Sequence, residues 1–243
     1  MGTLSIGTSG FNYNDWKDLF YPKRLPQKLW LAYYAQHYDT VEINATFYRY
    51  FARTVFARWR DETSPTFQFI LKGPKEITHV KRLQGIDNDL SRFIDSVQDL
   101  KPKLSSLLWQ FPYSFKYNNE TKENLDAFLQ KLAPDTRQAI EFRHKSWFNE
   151  DIYALLNRYN AGCVINDSSR FPAVEIVTGN FVYIRFHGPD QLYASAYSLE
   201  ALKVWANKIK AWLTQFDVYG YFNNDYGGRA IQNSVELIDL VRS

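Results

Sequence analysis

The sequence predicts an α/β protein, a single (β/α)8 barrel of the TIM type with an irregular sixth unit. Three observations carry that expectation. Eight apolar segments of strand length alternate with seven segments of helical period. The chain has 243 residues, a length such barrels occupy as one domain, and no linker, repeat or low-complexity stretch divides it, so residues 1–243 are expected to form one unit. Several strand-like segments also end in charged or amide groups, the pattern of a barrel whose strand ends hold a site.

The strand-like segments are 4–8, 40–44, 67–72, 105–111, 138–143, 162–167, 181–187 and 217–223. Helical period marks 28–37, 53–61, 89–100, 121–131, 149–158, 199–213 and 230–241. Leu125, Phe128, Leu129 and Leu132 recur at helical spacing, as do Leu202, Trp205, Ile209 and Trp212. Thr121 and Ser198 are the expected N-caps of their helices. Between the sixth and seventh strands, Pro172 and the run Ala173-Val-Glu-Ile-Val177 read as extended chain, which makes the sixth unit irregular. An open doubly wound sheet is the structural alternative and would also gather ligands at strand C-termini.

Composition narrows the function classes. The chain is 45 % hydrophobic and 23 % charged, enough for a large core. Its 29 basic and 26 acidic residues leave +3, too little for nucleic-acid binding through the bulk field. Aromatic residues reach 17 %, which implies a pocket with aromatic walls besides an aromatic core. A lone cysteine, Cys163, excludes an internal disulfide; between apolar neighbours it is expected to be buried and inert. The N-terminus runs straight into a strand, and no apolar run approaches membrane-spanning length, so a soluble cytoplasmic protein without a membrane partner is expected.

The chemistry is concentrated in two segments, Ala139-Ile-Glu-Phe-Arg143 and Val182-Tyr-Ile-Arg-Phe-His187. Alternation along a strand puts Glu141 with Arg143 on one face, and Arg185 with His187 on one face. Adding the other strand ends gives Glu42, Asn44, Lys72, Gln110, Asn223 and Asp225 as further mouth residues. Glu141 and His187 are the expected proton-transfer groups, His187 because an ordinary imidazole ionises near neutral pH. The others would bind substrate, the arginines as forked donors and Lys72 as a point charge. The same charges admit a structural reading, an ion-pair network in which Glu141 satisfies an arginine of another strand. His79 falls in a mouth loop, and His37 and His144 read as exposed or structural.

Glu141, Asp167, His187 and Asp225, all near strand ends, are a carboxylate/imidazole set of the kind that can hold a divalent ion. Three cations in the same region and the lack of paired histidine spacing oppose it, so neither a metal nor another cofactor is expected. Tyr226-Gly-Gly228 offers either an anion-binding helix start or a tight turn. The long first loop, 9–27, holds Phe11, Tyr13, Trp16, Phe20 and Tyr21, as pocket walls or as a local cluster. Tyr193 and Tyr197 are expected to line the same mouth.

The chain resembles the YecE-like family from end to end. The matching segments are Gly7-Thr-Ser-Gly10, Phe20-Tyr-Pro22, Thr40-Val-Glu-Ile-Asn-Ala-Thr-Phe-Tyr-Arg49, Lys72-Gly-Pro-Lys-Glu-Ile-Thr-His79 and Trp109-Gln-Phe-Pro112. They continue with Ala139-Ile-Glu-Phe-Arg-His-Lys-Ser-Trp147, Arg185-Phe-His-Gly188 and Tyr221-Phe-Asn-Asn-Asp225. The resemblance implies a β/α barrel and brings no reaction with it. Phe11 stands where the family usually has Trp, and Ser234 where Ala is usual.

The function expected from these residues is an enzyme that binds a small anionic substrate, phosphate-bearing or sugar-like, and works by metal-independent acid/base chemistry. The alternatives are a metal-dependent phosphoester hydrolase or nuclease, and a non-catalytic nucleic-acid or protein-binding module.

Overall fold

A computed structural model describes residues 1–243. Its strands are β1 (Leu4–Thr8), β2 (Thr40–Ile43), β3 (Gln68–Lys72), β4 (Leu104–Gln110), β5 (Arg137–Glu141), β6 (Ala161–Asp167), β7 (Phe181–Phe186) and β8 (Asp217–Phe222). All pairings are parallel, each strand from β2 to β8 lies beside its sequence neighbour, and β1 pairs with β8. The result is a nearly closed (β/α)8 barrel. Its helices are α1 (Trp30–Tyr34), α2 (Ala45–Tyr48), α3 (Arg53–Asp61), α4 (Asp87–Val97), α5 (Asn119–Gln130), α6 (Glu150–Arg158), α7 (Leu199–Trp212) and α8 (Arg229–Arg242). None is long and apolar enough to cross a membrane.

The sixth unit has no helix: the chain from 168 to 180 is neither helix nor strand. Ser198 caps α7 as predicted, accepting the Ala201 amide at 3.2 Å. Helix α5 starts earlier than the sequence predicts. Asn118 accepts the Thr121 amide at 2.8 Å while Thr121 Oγ1 accepts the Asn118 amide at 2.9 Å, so Thr121 is the third residue of a reciprocal cap. Two short pieces escape periodicity altogether, α2 and one wide helical turn at Glu76–Val80. Gly227 and Gly228 both have left-handed backbone, φ 66° and 74°, which fits the tight-turn reading of that segment.

Two separate cores hold the barrel. The larger fills the layer between sheet and helices; Cys163 lies in it, and burial pushes its thiol up to about 12. The smaller is the lumen: Ile70, Leu108, Ala139, Val164, Phe181, Tyr183, Tyr219 and Tyr221. Strand alternation then dictates what stands above it. Two residues on from Ile70, Leu108, Ala139, Val164, Tyr183 and Tyr221 come Lys72, Gln110, Glu141, Asn166, Arg185 and Asn223. A dry floor carries a polar top layer.

The barrel closes at one weak seam. β1 and β2 share no ladder, only an isolated bridge between Ser9 and Glu42. The Tyr34 hydroxyl stands in for a missing rung, accepting the Thr8 amide at 3.0 Å and donating to the Thr40 carbonyl at 3.2 Å. Gly7 makes room for it, since a Cβ there would lie 2.4 Å from the Thr40 carbonyl oxygen. Tyr34→Phe is expected to cost about 1–3 kcal/mol by leaving both buried backbone groups unpaired. Denaturant unfolding measures the loss, and hydrogen exchange should quicken at the Thr8 amide but not along β4–β5.

Candidate active site

The top layer of the lumen is an ionic network centred on Arg185, which is buried to 1 % exposure. Glu42 reaches across from β2: its Oε2 accepts Arg185 Nε at 2.9 Å and Tyr183 at 2.7 Å, its Oε1 accepts Arg185 Nη2 and Ser9, each at 2.6 Å. Arg185 Nη1 donates to Glu141 Oε2 at 2.8 Å, and Nη2 is 3.5 Å from Asn44 Oδ1. Burial alone would push Glu42 up; the Arg185 charge and the hydrogen bonds outweigh it and hold the carboxylate below its usual range. Every nitrogen of Arg185 and both oxygens of Glu42 thus have a protein partner. Ion pairing between strands, the structural reading of the sequence, describes Glu42 and Arg185 well.

Arg143 is different. It pairs with Glu141 Oε1, has the Tyr193 hydroxyl beside it and stacks under the Phe171 ring, whose centre is 3.5 Å from its guanidinium carbon; its buried Nε and Nη1 make no well-aligned hydrogen bond. Lys72 is also incompletely neutralised. Its Nζ donates to Gln110 Oε1 at 2.9 Å and lies 4.2 Å from the Phe47 ring centre, without a carboxylate in contact. Burial, reinforced by Arg185 and Arg143, brings its pKa from 10.5 down to about 7. Gln110 is held by its own donation to the Phe111 carbonyl at 2.8 Å.

His187, expected from the sequence to ionise near neutral pH, is enclosed by amides and cations. It is fully buried, its Nε2 is 3.1 Å from Asn166 Oδ1 and its Nδ1 is 3.2 Å from Asn223 Nδ2. An amide oxygen on one side and an amide nitrogen on the other match the neutral tautomer with the proton on Nε2. Burial and the charges of Arg185, Arg143 and Lys72 hold its pKa well below the ordinary value. Asn223 therefore orients His187. Asp225 sits beside the Tyr13 hydroxyl at the mouth's edge; burial raises its carboxyl to about 7, and its Oδ1 has no partner.

Several residues stand where the sequence did not put them. Asp167 faces outward and accepts the Trp205 indole at 2.5 Å, so the four residues weighed for a metal do not converge, and no three His, Cys, Asp or Glu side chains form a ligand set. Tyr197 is also outside the lumen, where its hydroxyl accepts the Gly188 amide at 3.1 Å; Tyr193 does line the mouth. In the first loop, Trp16 and Tyr21 are buried in a local aromatic cluster, Tyr21 stacking on Trp30 at 4.5 Å, while Phe11 and Tyr13 remain half-exposed. His79, left outside the predicted site, lies with its Nε2 3.5 Å from Gln110 Nε2 and its ring 4.8 Å from Phe47. His37 is exposed, and His144 accepts the Ser146 amide as a local cap. A pocket of about 300 Å³ opens over Arg143 and Gln110, walled by Phe171, Tyr193 and Tyr113 and flanked by Arg170.

Fold and mouth together define a TIM-type barrel protein with a polar, partly open layer at the C-terminal ends of its strands. Within that class the chain belongs to the family described as Protein of unknown function DUF72, which it matches over residues 5–243. It is 26 % identical to the UPF0759 protein YunF of Bacillus subtilis across 98 % of this chain and 94 % of that protein. It is 27 % identical to the UPF0759 protein YecE of Escherichia coli strain K12 across 75 % of this chain and 74 % of that one. A crystal structure of a DUF72 family protein from Thermotoga maritima superposes with a TM-score of 0.90 at 30 % identity, covering 99 % of this chain and 100 % of the other. A second, from Enterococcus faecalis, has a TM-score of 0.86 at 22 % identity over 99 % and 96 % of the chains, a likeness of fold.

Proposed function

We propose that the barrel mouth is the active site of an enzyme acting on a small anionic substrate, phosphate-bearing or sugar-like, by acid/base chemistry of its own side chains. The observation that carries this reading is the state of Arg143. A buried guanidinium whose donors are short of partners is costly in a purely structural network, and an anionic oxygen ligand would satisfy one of them. Lys72 supplies the second charge. Two arginines and a partly protonated Lys72 against two carboxylates at this level, with His187 neutral, favour an anion over a divalent cation.

The proton-transfer role passes from His187 to Lys72. An amine poised near neutral pH can accept a proton from bound substrate and return it, and Gln110 Oε1 fixes its position. Glu141, held between Arg143 and Arg185, orients the guanidinium that binds charge. Asn44 and Asp225 form the rim.

Sulfate is the test ligand because it does not titrate in the working range. Arg143→Gln is expected to weaken sulfate binding by roughly 1.5–3 kcal/mol, the scale of hydrogen bonds to a charged group, measured by calorimetry. Wild-type affinity should also fall as pH rises through about 7, since bound sulfate favours the protonated amine of Lys72. Equal affinity in wild type and Arg143→Gln would sink the anion-site reading.

A further inference from the structure

The seam between β1 and β2 opens, at the C-terminal end of the strands, into a second cavity outside the lumen. One wall is the first loop and the start of α1; the other is α2 with α3. The segments that follow β1 and β2 leave a crevice between them. This cleft holds about 780 Å³, within the roughly 300–1,000 Å³ common for small-molecule sites.

Its lining has two components. Phe11, Phe51 and Trp59 form an aromatic wall, with Trp59 edge-on to Phe11 at 6.4 Å and tilted against Phe51 at 5.5 Å. Phe11 and Phe51 stay half-exposed although they pack on the core. Around them stand Lys28, Arg49 and Arg58 against a single carboxylate, Glu62. Lys28 and Arg49 belong to no ion pair, and Arg58 meets Glu62 only at 3.6 Å. The Arg49 guanidinium lies 4.5 Å from the Phe51 ring centre, which holds a cation directly over the aromatic wall.

From these observations we infer that the seam cleft is a second binding site, for a planar aromatic body that carries an anionic group. The aromatic wall offers a ring a stacking surface, and three cations over a low-dielectric wall concentrate negative charge there. Ser9 and Asn44 close the inner end of the cleft, and both also touch the Glu42–Arg185 network. The short helix α2 partitions the two sites: Phe47 stands over Lys72 in the mouth, while Ala45 lines the cleft. The inference does not depend on the reading of the mouth.

The probe is 1-anilinonaphthalene-8-sulfonate, a fused-ring sulfonate whose emission rises in a dry pocket. Titration of the whole chain should give one site. The exposed pair Arg49→Ala/Arg58→Ala should weaken it about tenfold, the factor of one lost charged contact, with an unchanged melting temperature. Val55→Trp, which grows from the cleft wall, should abolish it. Uncharged N-phenyl-1-naphthylamine should bind at least about tenfold more weakly than the sulfonate. Undiminished binding in the arginine pair, equal affinity for the two dyes, or loss on Arg143→Gln alone would each overturn the assignment; the last would place the probe in the mouth.

Discussion

Replacing Glu42 with glutamine is expected to cost about 3–5 kcal/mol of folding stability, the scale of removing one partner from a buried ion pair. The carboxylate accepts four hydrogen bonds, from Ser9, Tyr183 and twice from Arg185. An amide in its place must point its NH2 at one of these donors, whichever way it is turned. Arg185, left with Glu141, would keep its charge at 1 % exposure with half of its neutralisation gone. The pH dependence has a definite sign. Glu42 has its folded pKa lowered beneath the ordinary 4.5, so its contribution is complete above that pH and is lost as pH falls through the folded value. Urea unfolding should therefore show a wild-type advantage that is full at pH 7 and shrinks below about pH 4. A variant as stable as wild type at pH 7 would refute the anchoring role.

Lys72→Met on the adjacent strand is expected to act in the opposite direction, stabilising the protein by about 2–4 kcal/mol at pH 7. Bringing an amine from 10.5 to about 7 by burial corresponds to a penalty on the charged form of at most about 5 kcal/mol. Methionine removes that penalty at similar volume; against it stands the Gln110 carbonyl, which loses its donor at a cost of about 1–2 kcal/mol. Between pH 7 and 10.5 the unfolded chain holds a proton on Lys72 that the folded chain lacks, so wild-type stability rises with pH across that window. The advantage of the methionine variant should be largest below about pH 7 and fade toward pH 10.5. Destabilisation at pH 7, or a gap that ignores pH, would mean that the lysine is a structural partner. A residue that weakens the fold where it stands is the kind that function retains.

Much of this arrangement is legible in the sequence. Period-two alternation placed Glu141 with Arg143 and Arg185 with His187 on lumen faces, and the barrel followed from the order of segments. Which charges are already satisfied was not legible. Glu42 and Arg185 are 143 positions apart, and their contact depends on the lumen's width, which no local pattern encodes. Asp167 is a case where the signal was present. Val164 faces inward, so alternation puts Asn166 inward and Asp167 outward; a charge at a strand's end is a stronger signal than an amide one position before it, though here the amide is the lumen residue. His79 sits on one wide helical turn whose geometry has no sequence period, so only the fold could bring it to Gln110. For His187, an average imidazole in water was a poor guide to one enclosed by three cations.

The filled lumen has a consequence for traffic. Phe181, Tyr183, Tyr219 and Tyr221 stack through the lower barrel, Tyr183 over Tyr219 and against Tyr221 at centroid distances of 6.4 and 5.4 Å, so there is no back door. Whatever enters over Arg143 must leave by the same route, past the Phe171 ring. On the enzymatic reading proposed above, substrate and product share that one entrance. Product at high concentration would then compete with substrate for it.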